Sequence, residues 1–191
     1  MNDPRRDLPN AVKASVFIGT SLDGFIARAD GGIDWLHEIG DEPGEDYGYG
    51  AFFDSVDALV MGRNTFELVL TFADWPYGAK PVIVLTSRPL EIPDALADRV
   101  STMSGPPAEI VRRLSERGLT HVYVDGGITI QRFLAAGLIQ RMTITRLPVL
   151  IGTGIPLFGP TPHDIKLRHV ETRTYGNGLV QSTYDVVPAA G

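Results

Sequence analysis

Three apolar runs in this chain end alike, and that repeated ending limits the fold more than any other feature. "DALVMG" passes into "RNTFELVL", "KPVIVL" into "TSRP", and "THVYV" into "DGGITIQRFLAAG". Side chains alternate from face to face along a strand, so an unbroken apolar run needs cover on both faces. Runs of this kind, separated by segments of helical spacing, meet that need as a largely parallel sheet with helices on each side. The helical spacing is present at Phe66, Val69 and Leu70 after the first run, and at Ile110, Val111 and Leu114 within "PPAEIVRRLSERG". Prolines open that second segment and Gly118 lies past its end, as at a well-punctuated helix.

A first strand is expected over residues 14–20, then a turn at "SLDG" and a short extended "FIA". "DRVSTM" and "IQRMTITRLPVLIG" add strands. The C-terminal stretch "IKLRHVETRTYGNGLVQSTYDVV" alternates on either side of Asn177-Gly178, a strong hairpin signal. The expected fold is α/β, with a mostly parallel central sheet, helices on both faces and a C-terminal antiparallel hairpin. At 191 residues without an internal repeat, one domain over residues 14–187 is expected, with a flexible segment over 1–13 and a tail over 188–191.

Composition removes several function classes. No apolar run approaches the ~18 residues of a membrane span, and "MNDPRRDLPNAVK" lacks the apolar stretch of a signal peptide. The absence of cysteine excludes disulfides and thiolate zinc sites, and a cytoplasmic location is the simplest expectation. His37, His121, His163 and His169 are scattered without ligand spacing, so no metal is expected. A net charge of −6 without a basic block argues against nucleic acid as a partner.

Ligands of parallel sheets bind beyond the carboxyl ends of the strands, where the three polar-glycine endings lie. After the strand at residues 58–61, Gly62 turns the backbone and Arg63, Asn64 and Thr65 open a helix. Thr86, Ser87 and Arg88 follow the strand at residues 82–85, and Asp125-Gly126-Gly127 precede a helix expected from about Thr129. Free N–H groups at helix starts favour anions, and two arginines on the same rim suit a ligand with several phosphates. A Rossmann G-x-G-x-x-G pattern is absent.

"VMGRNTFE", "VIVLTSRP" and "VYVDGGITIQRFL" resemble, in order and spacing, the motifs of dihydrofolate reductase. "SLDGFIA", "GGIDWL", "SVDALVMGR" and "GIPLFG" look closer to the reductase domain of the bifunctional riboflavin-biosynthesis deaminase-reductase and its stand-alone relatives. The resemblance spans about residues 14–187. It implies NADPH-dependent reduction of a small heterocycle, pterin- or pyrimidine-like, in a homodimer. Carried over by position, Gly62, Arg63 and Thr65 would meet the cofactor's 2′-phosphate and pyrophosphate side, and Thr86, Ser87 and Arg88 the adenosine 2′-phosphate. Gly126, Gly127 and Thr129 would hold the pyrophosphate, with Gly19 and Ile26 beside the nicotinamide.

On the substrate side the same resemblance offers two carboxylates for a proton relay. Asp46 falls where dihydrofolate reductase keeps its pterin-binding carboxylate, and Asp34 lies in the substrate-facing segment of the riboflavin-type relatives. The alternatives are a helix cap for Asp34 and a solvated acid for Asp46. Thr145 aligns with a threonine that contacts the pterin, or is an alternating strand residue. Trp35 and Phe52 either stack on a flat ring or belong to the core. Two departures bear on the substrate: the acidic, glycine-rich stretch 40–50 is longer than its counterpart, and Asp125 replaces a glycine. A nucleotide-binding protein of the same fold without turnover is the alternative function.

Overall fold

The computed structural model describes residues 12–40 and 42–188. Apart from Val12, Lys13 and Pro188, the expected N-terminal segment and tail lie outside the described residues. The elements run β1 (Lys13–Thr20), β2 (Phe25–Ala27), α1 (Asp34–Gly40), α2 (Tyr49–Asp54), β3 (Ala58–Gly62), α3 (Arg63–Val69), β4 (Val82–Leu85) and β5 (Val100–Met103). They continue with α4 (Pro107–Glu116), β6 (His121–Asp125), α5 (Gly127–Ala135), β7 (Arg141–Arg146), β8 (Ile155–Pro156), β9 (Leu167–Thr174) and β10 (Val180–Val186). Among the described residues the main sheet has eight strands in the order β5-β4-β3-β6-β1-β7-β10-β9. Pairing is parallel from β5 to β7 and antiparallel from β7 through β10 to β9. The predicted parallel sheet and terminal hairpin are both present.

The apolar runs feed two separate cores, as their lack of alternation requires. Val60, Val122 and Val124 pack with Ile110, Leu114, Ile130 and Phe133 of α4 and α5 on one face. Leu59, Met61, Val84 and Tyr123 pack with Phe66 of α3 on the other, joined by half-buried Phe17, Tyr49 and Phe52. A third, smaller cluster of Trp35, Leu147 and Leu179 lies beneath α1.

Two features depart from expectation. Helix α5 begins at Gly127 rather than near Thr129. The "FIA" strand pairs outside the main sheet, with Ile155–Pro156, so β2 and β8 form a small ribbon at the rim.

At the opposite end of the strands Asp57 ties β3 to β6. Its Oδ2 accepts hydrogen bonds from Thr120 N (2.7 Å), Thr120 Oγ1 (2.9 Å) and His121 N (2.9 Å). Those bonds, the two backbone N–H groups foremost, hold its carboxyl below the usual carboxylate range. A depressed folded value stabilises the fold above the unfolded pKa of ~3.9, and the contribution fades as pH falls through the folded value. Asp57→Asn should therefore lower the melting temperature at neutral pH and flatten its fall below about pH 4. Thermal melts across that range test it.

Candidate functional site

The carboxyl ends of β3, β4 and β5 open on a cleft of about 420 Å³ lined by Arg63, Thr86, Ser87, Arg88, Ser104 and Arg132 among others. Among the described residues its lining holds no acidic side chain, although Glu67 stands beside Arg63 and Glu109 beside Gly105. Arg63 is held from two sides: a guanidinium N–H donates to the Pro89 carbonyl, and Nε lies 3.6 Å from Glu67 Oε1. Thr86 Oγ1 accepts from Arg88 N at 3.2 Å and so shapes the "TSR" turn. Arg132, on α5, donates to Gly105 O at 3.3 Å. It escaped the sequence reading because it lies five residues beyond Gly127, and only the helix path brings it to this rim. Its exposed position on a helix otherwise marked by Ile130, Phe133 and Leu134 was the available signal.

Next to this cleft the helices α3 and α5 start side by side, because β3 and β6 are neighbours in the sheet. Neither start carries a side-chain cap, so their first N–H groups have no side-chain partner there. The two starts interlock. Gly126 has φ 88, and a Cβ at that position would collide with Thr65 Oγ1; a Cβ on Gly62 would stand 3.1 Å from Thr129 Oγ1. Gly62, Thr65, Gly126 and Thr129 are thus brought together, as the sequence reading expected. Ile26 joins them, since its Cδ1 is 3.1 Å from where a Gly127 Cβ would be. Gly19 differs in one respect: Leu36 of α1 fills the space its missing side chain leaves, 2.7 Å from an ideal Cβ.

The predicted carboxylates do not have the setting of a proton relay. Asp34 is about half exposed and forms a two-bond pair with Arg28, Nε–Oδ1 and Nη2–Oδ2 both 2.7 Å. Asp46 is exposed, and its oxygens accept from Gly48 N (2.8 Å) and Gly50 N (3.0 Å) at the entry to α2. Both carboxyls are held below their ordinary range, Asp34 first by Arg28 and Asp46 by those backbone N–H groups. Such groups stay ionised at neutral pH and do not donate protons. The correction extends to Trp35, which is 2% exposed and packs on Leu147 and Leu179 rather than lining a cleft.

A different carboxyl has the required environment. Asp125, the last residue of β6, is half-buried on the same face of the sheet as Tyr123, and desolvation pushes it up to about 6 against an opposing hydrogen bond from Gly126 N. Phe52 belongs to the ring cluster around Tyr123, stacked on Phe17 at 5.1 Å and edge-on to Tyr123 at 5.0 Å. Thr145 is 6% exposed, beside Gly19 in the sheet. For Asp125, the acid standing for a glycine is the one local sign, and its desolvation comes from residues distant in sequence. Among the described residues no cluster of His, Asp and Glu could hold a metal ion, and no helix is long and apolar enough to cross a membrane.

The mostly parallel sheet with its antiparallel C-terminal strands is the dihydrofolate-reductase-like fold, and the arginine-lined cleft and the two interlocked helix starts lie at the carboxyl rim of that sheet. The chain belongs to the RibD C-terminal domain family, whose sequence profile matches residues 13–181. It is 33% identical over 169 residues to the uncharacterized protein YwjB of Bacillus subtilis, covering 87% of this chain and 94% of that one. A protein of Shewanella sp. PV-4, provisionally assigned to riboflavin biosynthesis, superposes with a TM-score of 0.86 at 42% identity, over 92% of this chain and 99% of that one. Dihydrofolate reductase of Enterococcus faecalis, solved with NADP(H), shares the fold at a TM-score of 0.60 and 18% identity, over 91% and 96% of the two chains.

The raised Asp125 carboxyl makes a testable demand on stability. A raised folded pKa means that the fold loses stability as pH climbs from the unfolded value of ~3.9 through about 6, and no more above it. Asp125→Asn keeps an acceptor for Gly126 N without the charge. It should match the parent below about pH 4 and exceed it by roughly 1–3 kcal/mol above pH 7 in denaturant melts.

Proposed function

We propose that this protein is an NADPH-dependent reductase of a small heterocyclic substrate, pterin- or pyrimidine-like, acting by hydride transfer from the nicotinamide. The observation that carries the reading is the cleft with Arg63, Arg88 and Arg132 at the carboxyl rim. Three guanidinium groups suit a phosphate dianion on the adenosine ribose, which NADPH has and NADH lacks. Thr86, Ser87 and Ser104 add hydroxyl donors there. The uncapped starts of α3 and α5, with Gly126 and Gly127 permitting close approach, would take the pyrophosphate. Ile26, packed on Gly127, would flank the nicotinamide end.

Bound there, the cofactor supplies hydride. The chain's own contribution is orientation and a proton. Asp125 holds a proton at its carboxyl up to about pH 6 and can hand it to the substrate from the end of β6. Phe52 offers a ring edge or face to a flat substrate, and the Thr145 hydroxyl offers a polar contact.

The contact of Leu36 with Gly19 favours a second reading, binding of the nucleotide without turnover, because an apolar side chain fills the space at the expected nicotinamide end. Activity separates the two: NADPH that binds tightly yet is not oxidised with any pterin or aminopyrimidine would establish the second.

Arg63→Ala and Arg132→Ala should each weaken NADPH binding roughly 10–100-fold, since hydrogen bonds to charged groups contribute ~1.5–3 kcal/mol. NADH affinity should change much less, and an equal loss for both nucleotides would remove the 2′-phosphate assignment. With a turned-over substrate, kcat/KM should fall as pH rises through about 6, and Asp125→Asn should abolish that dependence.

A homodimer is part of the proposal. Edge strand β9 is exposed along its whole length, with Leu167 and Val170 open to solvent. An uncovered edge of eight residues is a site for pairing. Sedimentation at micromolar concentration should give twice the 20.7 kDa chain mass, and a monomer would count against it. A cytoplasmic location goes with this reading of a cysteine-free reductase.

A further inference from the structure

We infer that Gln181 is a positioning residue that turns the Thr145 hydroxyl into a hydrogen-bond donor toward the substrate, so that the bound heterocycle presents an acceptor at that point. The inference rests on the heterocycle reading above and adds the polarity of one contact.

The orientation of the Gln181 amide follows from its neighbours. Nε2 lies 3.0 Å from Tyr47 O and 2.9 Å from Thr145 Oγ1. A backbone carbonyl can only accept, so the NH₂ end must face Tyr47, and its second hydrogen then goes to Thr145. At the other end, Oε1 accepts from Tyr175 OH at 3.3 Å. The amide is therefore held by three segments of the chain and cannot reverse without losing the Tyr47 bond.

Tyr47 is itself fixed. Its backbone is left-handed at φ 55, its hydroxyl donates to Gly40 O at 2.7 Å, and it accepts from Asn177 Nδ2 at 2.8 Å. Its ring stands edge-on to Tyr175, with centroids 4.8 Å apart. The anchor for Gln181 is thus rigid on both sides.

The consequence falls on Thr145. Its oxygen is an acceptor toward Gln181, which leaves its own hydrogen to be donated elsewhere. Among the described residues no acceptor for that hydrogen is bonded to it, although the residue is only 6% exposed. Buried hydroxyls usually use their donor. Thr145 stands between Gly19 of β1 and Gln181 of β10 in the sheet register, with its side chain on the same face as that of Gln181. An exocyclic carbonyl oxygen meets this donor, whereas an exocyclic amino group at the same point would oppose hydrogen to hydrogen.

Two ring-matched probes read the polarity directly: 5,6-diaminouracil, which carries carbonyls, and 2,4,5,6-tetraaminopyrimidine, which carries amino groups in their place. Binding is measured by calorimetry on the full chain at neutral pH. Adenosine 2′,5′-bisphosphate, which needs only the arginine cleft, serves as the control for folding. The parent should favour the dioxo probe by about tenfold, the worth of one hydrogen bond. Thr145→Val should erase the preference and Gln181→Met should greatly reduce it. Gln181→Glu should reverse it, because the buried acid keeps its proton on the bond to the Tyr47 carbonyl and accepts the Thr145 hydrogen.

A preference that survives unchanged in both Gln181 variants, with the bisphosphate bound normally, overturns the role given to Gln181 alone. If Gln181→Glu fails to hold the bisphosphate, Gln181→Met decides by the same criterion. A parent that takes the bisphosphate but neither pyrimidine overturns the heterocycle reading and this inference with it.

Discussion

The candidate site depends on the double burial of β3. Its residues Ala58, Leu59, Val60 and Met61 are each 0% exposed, and β4 and β6 hydrogen-bond to it on either side. Such a strand has no freedom to shift, since a slip of one residue would exchange the two cores. Its carboxyl end is therefore fixed against that of β6, and the helices that follow must begin together. The approach of Thr65 to Gly126 and of Thr129 to Gly62 is a consequence of that register. The uncapped backbone at this rim is thus positioned by packing that lies entirely outside it.

Much of this was legible in the sequence, for identifiable reasons. The unbroken apolar runs required a parallel sheet, Asn177-Gly178 announced the hairpin, and the polar residues after each run marked the rim. Position along the chain was enough to find Arg63, Thr86 and Gly126, because each directly follows a strand. Arg132 does not, and reaches the cleft only through the rise and rotation of α5. The pairing of β2 with β8 was equally hidden, since it joins segments about 130 residues apart with only three and two residues in the strands.

The carboxylates show a different limit. Asp34, Asp46 and Asp125 are the same residue type, and alignment to a family motif favoured the first two. What separates them is solvent. Asp34 has Arg28, Asp46 has the amides at the start of α2, and at Asp125 desolvation outweighs the amide of Gly126. Sequence records which acid stands where, but the dielectric around it is a property of chains that meet only in the fold.

The partition of the cores bears on how such a protein changes over generations. The cluster of Trp35, Leu147 and Leu179, with the Tyr47–Asn177–Gln181 network beside it, is separate from the two large cores that hold the sheet. Substitutions in it alter the wall above Gly19 and Thr145 without disturbing the strands that define the arginine cleft. Over generations that wall can change while the cleft lined by Arg63, Arg88 and Arg132 keeps its shape, because the two are built by different, weakly coupled parts of the chain.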